Sequence, residues 1–168
     1  SRLELAKRYV DEGEYDLVFL DITATHENRK TLVQLVEKIA EEINIPFTVG
    51  GGISEISDVD NLLKAGADKI SINSSAVKNP DLIKTFADKF GSQCVVVAID
   101  SKQFGDEDYV FVNGGRIKTD YKTHDWAKKV QELGAGEILL TSMDFDGTKQ
   151  GFDVRLLNEI SNIVNIPI

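Results

Sequence analysis

Several short segments of this sequence carry residue types suited to chemistry on a phosphorylated compound. Gly50-Gly51-Gly52 ends an apolar run. Glycines there let a ligand phosphate approach the main chain, whose N–H groups can bind it. The same triplet also suits a tight turn with no ligand. Asn73-Ser74 ends another run and could add side-chain donors to that phosphate. Asp100 closes the run Cys94-Val95-Val96-Val97-Ala98-Ile99. A carboxylate in that position suits general acid–base work, and equally suits a helix cap or a solvated loop. Asp21 ends the first apolar run, and Thr141 through Gly147 follow another. Within that stretch Asp144 and Asp146 flank Phe145 ahead of Gly147, a pattern that turns also favour.

Short apolar runs alternate with longer amphipathic ones. Strands are expected near 17–21, 46–50, 69–73, 94–100, 137–142 and 166–168. Helices are expected near 2–12, 29–43, 57–65, 79–90, 123–133 and 153–163, with Asn79 a cap ahead of Pro80. Such β-α-β-α alternation calls for parallel strands joined by helical crossovers. Between Ser101 and Lys122 the chain is polar and glycine-bearing, and Tyr109–Val112, Asn113-Gly114-Gly115 and Arg116–Lys118 read as an inserted hairpin. No linker or low-complexity segment interrupts the pattern, so residues 1–168 read as a single domain.

The sequence also repeats itself. Asp16–Thr23 is answered by Glu137–Asp144, and Asn44–Phe47 by Asn165–Ile168, with equal spacing between landmarks in both copies. Between them Leu35, Val36, Ile39 and Ile43 align with Leu156, Leu157, Ile160 and Val164, and only Leu32 against Asp153 breaks the register. Six parallel strands could form an open doubly wound sheet, but twofold repetition favours two half-barrels. A complete eight-unit barrel runs to about 250 residues. The 168 residues are therefore expected to be an incomplete (β/α)8 TIM barrel, covering about strands 2 to 7. Strand alternation puts Asp16, Val18 and Leu20, then Lys69, Ser71 and Asn73, then Glu137, Leu139 and Thr141 on the inward face. Leu17 and Phe19, Ile70 and Ile72, and Ile138 and Leu140 face the helices. Asp16, Lys69 and Glu137 then form a charged ring at the barrel floor, read either as a polar gate or as a solvated rim.

A net charge of −9 argues against non-specific nucleic-acid or anionic-membrane binding. Cys94 is the one cysteine, which rules out an intrachain disulfide and fits a reducing, cytoplasmic setting. It opens a buried strand and reads as structural, while Trp126 reads as core. Neither His26 nor His124 lies among carboxylates at a metal-ligand spacing, so no metal and no cofactor are expected.

The strings LVFLDITA, IPFTVGGGI, GADKISINSSAV, GSQCVVVAID and GAGEILLTSMDFDGTKQGFD, in this order, resemble the cyclase subunit of imidazole glycerol phosphate synthase. The resemblance covers essentially the whole chain. It implies a barrel that takes a phosphoribulosyl-formimino aminoimidazole carboxamide ribotide with a phosphate at each end. Ammonia from a glutamine amidotransferase partner attacks it, and ring closure and cleavage give imidazole glycerol phosphate and the aminoimidazole carboxamide ribotide. By the same resemblance Asp100 matches one of two catalytic aspartates. Gly52, Asn73 and Ser74 match one phosphate site, and Asp146 and Gly147 match part of the other; Gly51, Asp21 and Thr141 are further candidates at strand ends, read from the residues alone. Lys69 and Glu137 match the ammonia gate, and Asp16 stands where the family has glutamate, which implies a looser gate. The second aspartate, the gate arginine and the rest of the second phosphate site would lie outside residues 1–168, so the chain by itself is expected to be inactive. Two other readings stand beside this one: the sister phosphoribosyl-formimino isomerase, and a non-catalytic phosphate-binding or assembly fragment.

Overall fold

The computed structural model describes residues 17–21, 26–144 and 153–168. The expected helix over 2–12 and the site residues Asp16, Asp146 and Gly147 lie outside them. The chain divides into two compact units, Ser1–Ile72 and Asn73–Ile168.

In the first unit β1 (Leu17–Asp21), α1 (His26–Glu42), β2 (Phe47–Gly51), α2 (Ile56–Ala65) and β3 (Lys69–Ile72) follow in order. β1 pairs with β2 and β2 with β3, both in parallel. Leu32, Val36, Ile39 and Ile43 form one buried stripe at helical spacing; in the strands Phe47, Val49, Ile70 and Ile72 are buried, and so are Thr48 and Ser71 between them, so burial there does not alternate. α2 starts where Asp58 reaches back, its Oδ2 accepting the N–H groups of Ser54 and Glu55, each at 3.1 Å. That satisfies donors ahead of the first helical turn and puts a negative charge where the helix dipole favours one.

The second unit begins with a short helix that was not expected, α3 (Ser74–Lys78), followed by α4 (Asp81–Phe90), which is the helix expected over 79–90. Asn79 lies between them at φ −140°, ψ 86°, and does not cap α4. The residue before a proline is pushed out of the helical region, so the chain breaks there and restarts after Pro80. Cys94 belongs to a single 3-10 turn, Ser92–Cys94, and the strand starts one residue later. It is part-exposed, which corrects its expected place in the strand.

β4 (Val95–Phe104) runs on past the apolar segment and becomes the first arm of the insertion. It pairs in parallel with β7 (Glu137–Ser142) through Val96–Ser101, and antiparallel with β5 (Glu107–Val112) through Asp100–Phe104. β6 (Ile117–Lys122) closes a three-stranded meander, larger than the hairpin read from the sequence. α5 (Thr123–Glu132) buries Trp126 completely, as expected. α6 (Val154–Ile163) is capped by Asp153, whose Oδ1 accepts the Leu156 N–H at 3.1 Å. This explains the one broken position of the repeat, since Leu32 is inside a helix and Asp153 is a cap. Two pairs of the repeat match in burial, Ile39 and Ile160 both 0% exposed and Ile43 and Val164 both 6%, whereas Leu35 and Leu157 are part-exposed against buried Leu156 and Val36.

The expected strand over 166–168 is not formed. One ladder bond exists, Ile138 N–H to the Pro167 carbonyl at 2.9 Å. Pro167 has no N–H to give back, and the N–H groups of Asn165 and Ile166 donate to Gln131 Oε1. Among the described residues, no helix is long and apolar enough to cross a membrane.

The meander is fastened to α6 by charge. Asp108, 6% exposed, accepts two bonds of 3.1 Å from Arg155 Nη2. Arg155 Nη1 also reaches Glu159 at 2.7 Å, and His124 Nε2 lies 2.9 Å from the same carboxylate. Burial works against the guanidinium's charge, but the Asp108 bonds and charge, with Glu159 and Asp153 behind, hold its pKa above the usual value. Arg155→Leu strands the buried Asp108 and should cost about 2 kcal/mol in urea denaturation, below a fully buried pair because Arg155 is half-exposed. Adding Asp108→Ala should recover part of that loss; equal losses in single and double variants would show that the pair does not hold the meander.

Candidate active site

In the second unit, parallel pairing fixes which residues share a face. Val96, Ala98 and Asp100 lie beside Glu137, Leu139 and Thr141. In-register neighbours in a sheet point the same way, so Glu137 opens this face and Asp100 and Thr141 end it. The opposite face, Val95, Val97, Ile99 and Ile138, is fully buried. On β7 the alternation read from sequence holds for buried Ile138, but Leu140 on the same face is part-exposed.

Asp100 does not end its strand, as expected, but sits where β4 changes partners. It is paired to Thr141 on one side and Phe111 on the other. Its carboxylate accepts a hydrogen bond of 3.1 Å from Asn73 Nδ2. A carboxylate is acceptor-only, so the amide nitrogen must face it, which fixes the Asn73 orientation. The Asn73 Oδ1 is then turned away; it is buried and has no hydrogen-bond partner among the described residues. A buried unpaired acceptor is costly and marks a place where a ligand donor fits. Asn73 itself takes an irregular backbone, φ −134°, ψ −94°. Ser74 is held too, its Oγ accepting the Asn113 N–H at 3.1 Å.

In the first unit Asp21 stands in register with Gly51 at the ends of β1 and β2. Gly51 has φ 150°, a backbone that L side chains rarely adopt, and the Ile53 N–H turns back to its carbonyl at 2.8 Å. The glycine run thus forms a tight turn at a strand end, with Gly50 buried and Gly51 and Gly52 part-exposed. Lys69 opens β3 in register with Thr48, and Glu137 opens β7 in register with Val96, each part-buried at its strand's start.

Sequence reasoning missed three features. Asn113 reaches Ser74 across 39 positions, and the Gln103 N–H reaches Asp144 Oδ2 at 2.8 Å. No local pattern encodes such long-range pairs. His124 does lie near carboxylates, with Asp108 and Glu159 ligand atoms all within 4.8 Å. The legible signal was Asp108, in phase with buried Val110 on β5 and so bound to need a partner. Arg155 already serves as that partner.

A carboxylate and amide donors gathered at the C-terminal ends of parallel strands are the arrangement of (β/α)8-barrel enzymes. The chain belongs to the histidine biosynthesis protein family, whose model matches residues 1–168. It is 60% identical over 168 residues to the imidazole glycerol phosphate synthase subunit HisF of Clostridium botulinum (strain Okra / Type B1), covering 99% of this chain and 66% of that protein. It is 58% identical over 167 residues to the subunit of the same name from Bacillus cereus (strain G9842), with the same 99% and 66% coverage. Against that of Flavobacterium johnsoniae the figure is 62% over 166 residues, again covering 99% and 66%. The chain thus spans about two thirds of the length of these relatives.

Asn73→Asp sets a second carboxylate against Asp100 and should destabilise the chain by about 1–2 kcal/mol in urea denaturation, from like-charge repulsion in a part-buried site. Unchanged stability would mean that the two side chains are not held together in solution.

Proposed function

We propose that this chain supplies part of a barrel that performs the cyclase reaction of imidazole glycerol phosphate synthase, the enzyme its relatives are named for. The observation that carries the chemical part is Asp100, held by Asn73 and paired with Thr141. The substrate is a bisphosphorylated formimino aminoimidazole carboxamide ribotide, and the second reactant is ammonia. Asp100 moves a proton as ammonia adds and the imidazole ring closes, with the ribotide fragment leaving. Asn73 Nδ2 keeps the carboxylate aimed during that exchange. Gly51 and Gly52 act as phosphate ligands, as do Asn73 and Ser74, and Asp21 and Thr141 are further substrate contacts. Asp146 and Gly147 contribute to the second phosphate. Ammonia comes from a glutamine amidotransferase partner in the cytoplasm, and Asp16, Lys69 and Glu137 are its gate residues.

In a chain extended to its relatives' full length, Asp100→Asn should lower kcat by about 10²–10⁴-fold with substrate Kd nearly unchanged, since only proton transfer is removed. Equal loss of binding would make Asp100 a structural residue. Lys69→Ala should cut glutamine-dependent turnover more than turnover with free ammonia, both read as imidazole glycerol phosphate formed. Equal losses would remove the gate.

A further inference from the structure

The meander's outer turn is fastened from two sides within the second unit. On one side the Asn113 N–H donates to Ser74 Oγ at 3.1 Å. On the other, Gly115 lies so close to Met143 that a Cβ would stand 2.5 Å from its Cε. Met143 is held in turn, its N–H donating to the Ser101 carbonyl at 2.7 Å. The turn's backbone is specialised: Asn113, Gly114 and Gly115 have φ of 53°, 70° and 82°. Asparagine and glycine are the residues that tolerate this region best. The turn therefore has a defined shape that delivers the Asn113 N–H to Ser74.

A serine hydroxyl has one proton and two lone pairs. When Oγ accepts from Asn113, its proton must point to some other acceptor. We propose that the turn Asn113–Gly115 is a positioning element for a phosphate-binding hydroxyl. The Asn113 N–H engages one lone pair of Ser74 and leaves the hydroxyl proton aimed at a bound phosphate oxygen. This rests on the reading of Ser74 as a phosphate ligand. The insertion then acts on the substrate without touching it, by fixing the rotor of a residue on another element.

Inorganic phosphate titrated into the isotopically labelled chain, followed by amide resonances, tests this directly. The Ser74 and Asn113 amides should shift together with one apparent Kd, and Ser74→Ala should abolish the Asn113 response. Asn113→Gly keeps the N–H and the left-handed turn, so phosphate affinity should stay within about twofold. Asn113→Val removes the same side chain but resists positive φ, and should weaken phosphate about fivefold, the worth of one positioned hydrogen bond. A purely side-chain role would affect both variants alike. If Ser74 responds while Asn113 does not, or if the valine variant binds as the parent does, the proposal is overturned and the phosphate reading survives. If neither Ser74 nor Gly51 and Gly52 respond to phosphate, that reading falls and the proposal with it.

Discussion

Asp100 and Ser101 are paired on both edges of their strand, to Thr141 and Ser142 of β7 in parallel and to Phe111 and Val110 of β5 antiparallel. Few positions at the end of a parallel strand are held from both sides, because the chain there normally leaves the sheet for a loop. Here β4 continues, and the meander covers the edge that would otherwise be open. The double pairing fixes the backbone beneath Asp100. It also fixes Ser101, which is fully buried and bonded through its hydroxyl to Thr123 at 2.7 Å. From that anchor follow the start of α5 at Thr123, the seat of Met143, and the reach of the outer turn to Ser74.

The elements that sequence revealed best were those with strong periodicity. The α1 stripe was legible because burial of one face repeats at the period of the element, whereas β3 buries Ser71 along with Ile70 and Ile72. The echo between Ile39 and Ile160 was legible because the two helices do the same packing job. What failed was decided by single backbone groups. A short helix, Ser74–Lys78, formed ahead of the predicted one and stopped short of Pro80, and Pro167 with Gln131 left a predicted strand as one ladder bond. Neither outcome shows in a hydrophobic pattern, since each depends on where one N–H finds its acceptor.

The site was legible in part for the same reason. Asp100 stood out as a charge closing an apolar run, and the structure adds Asn73 as its partner. The role of the insertion was not legible. Its residues are polar, its turn is glycine-rich, and by sequence it reads as a surface hairpin. Its attachments are between groups far apart in the chain: Asp108 with Arg155, Gln103 with Asp144, Asn113 with Ser74. Together they turn a meander with exposed Phe104 and Ile117 into a braced part of the unit that carries Asp100.

Native-state hydrogen exchange along β4 tests that bracing most directly. A strand paired on one edge protects every second amide, whereas one paired on both edges protects consecutive amides. The double pairing predicts that the amides of Asp100 and Ser101 both exchange slowly, at rates close to those of Val97 and Ile99. Alternating fast and slow exchange through this stretch, or fast exchange from Asp100 onward, would show that the meander frays from the strand. Asp100 would then sit on a loose chain end, and the positioning of its carboxylate would have to come from elsewhere.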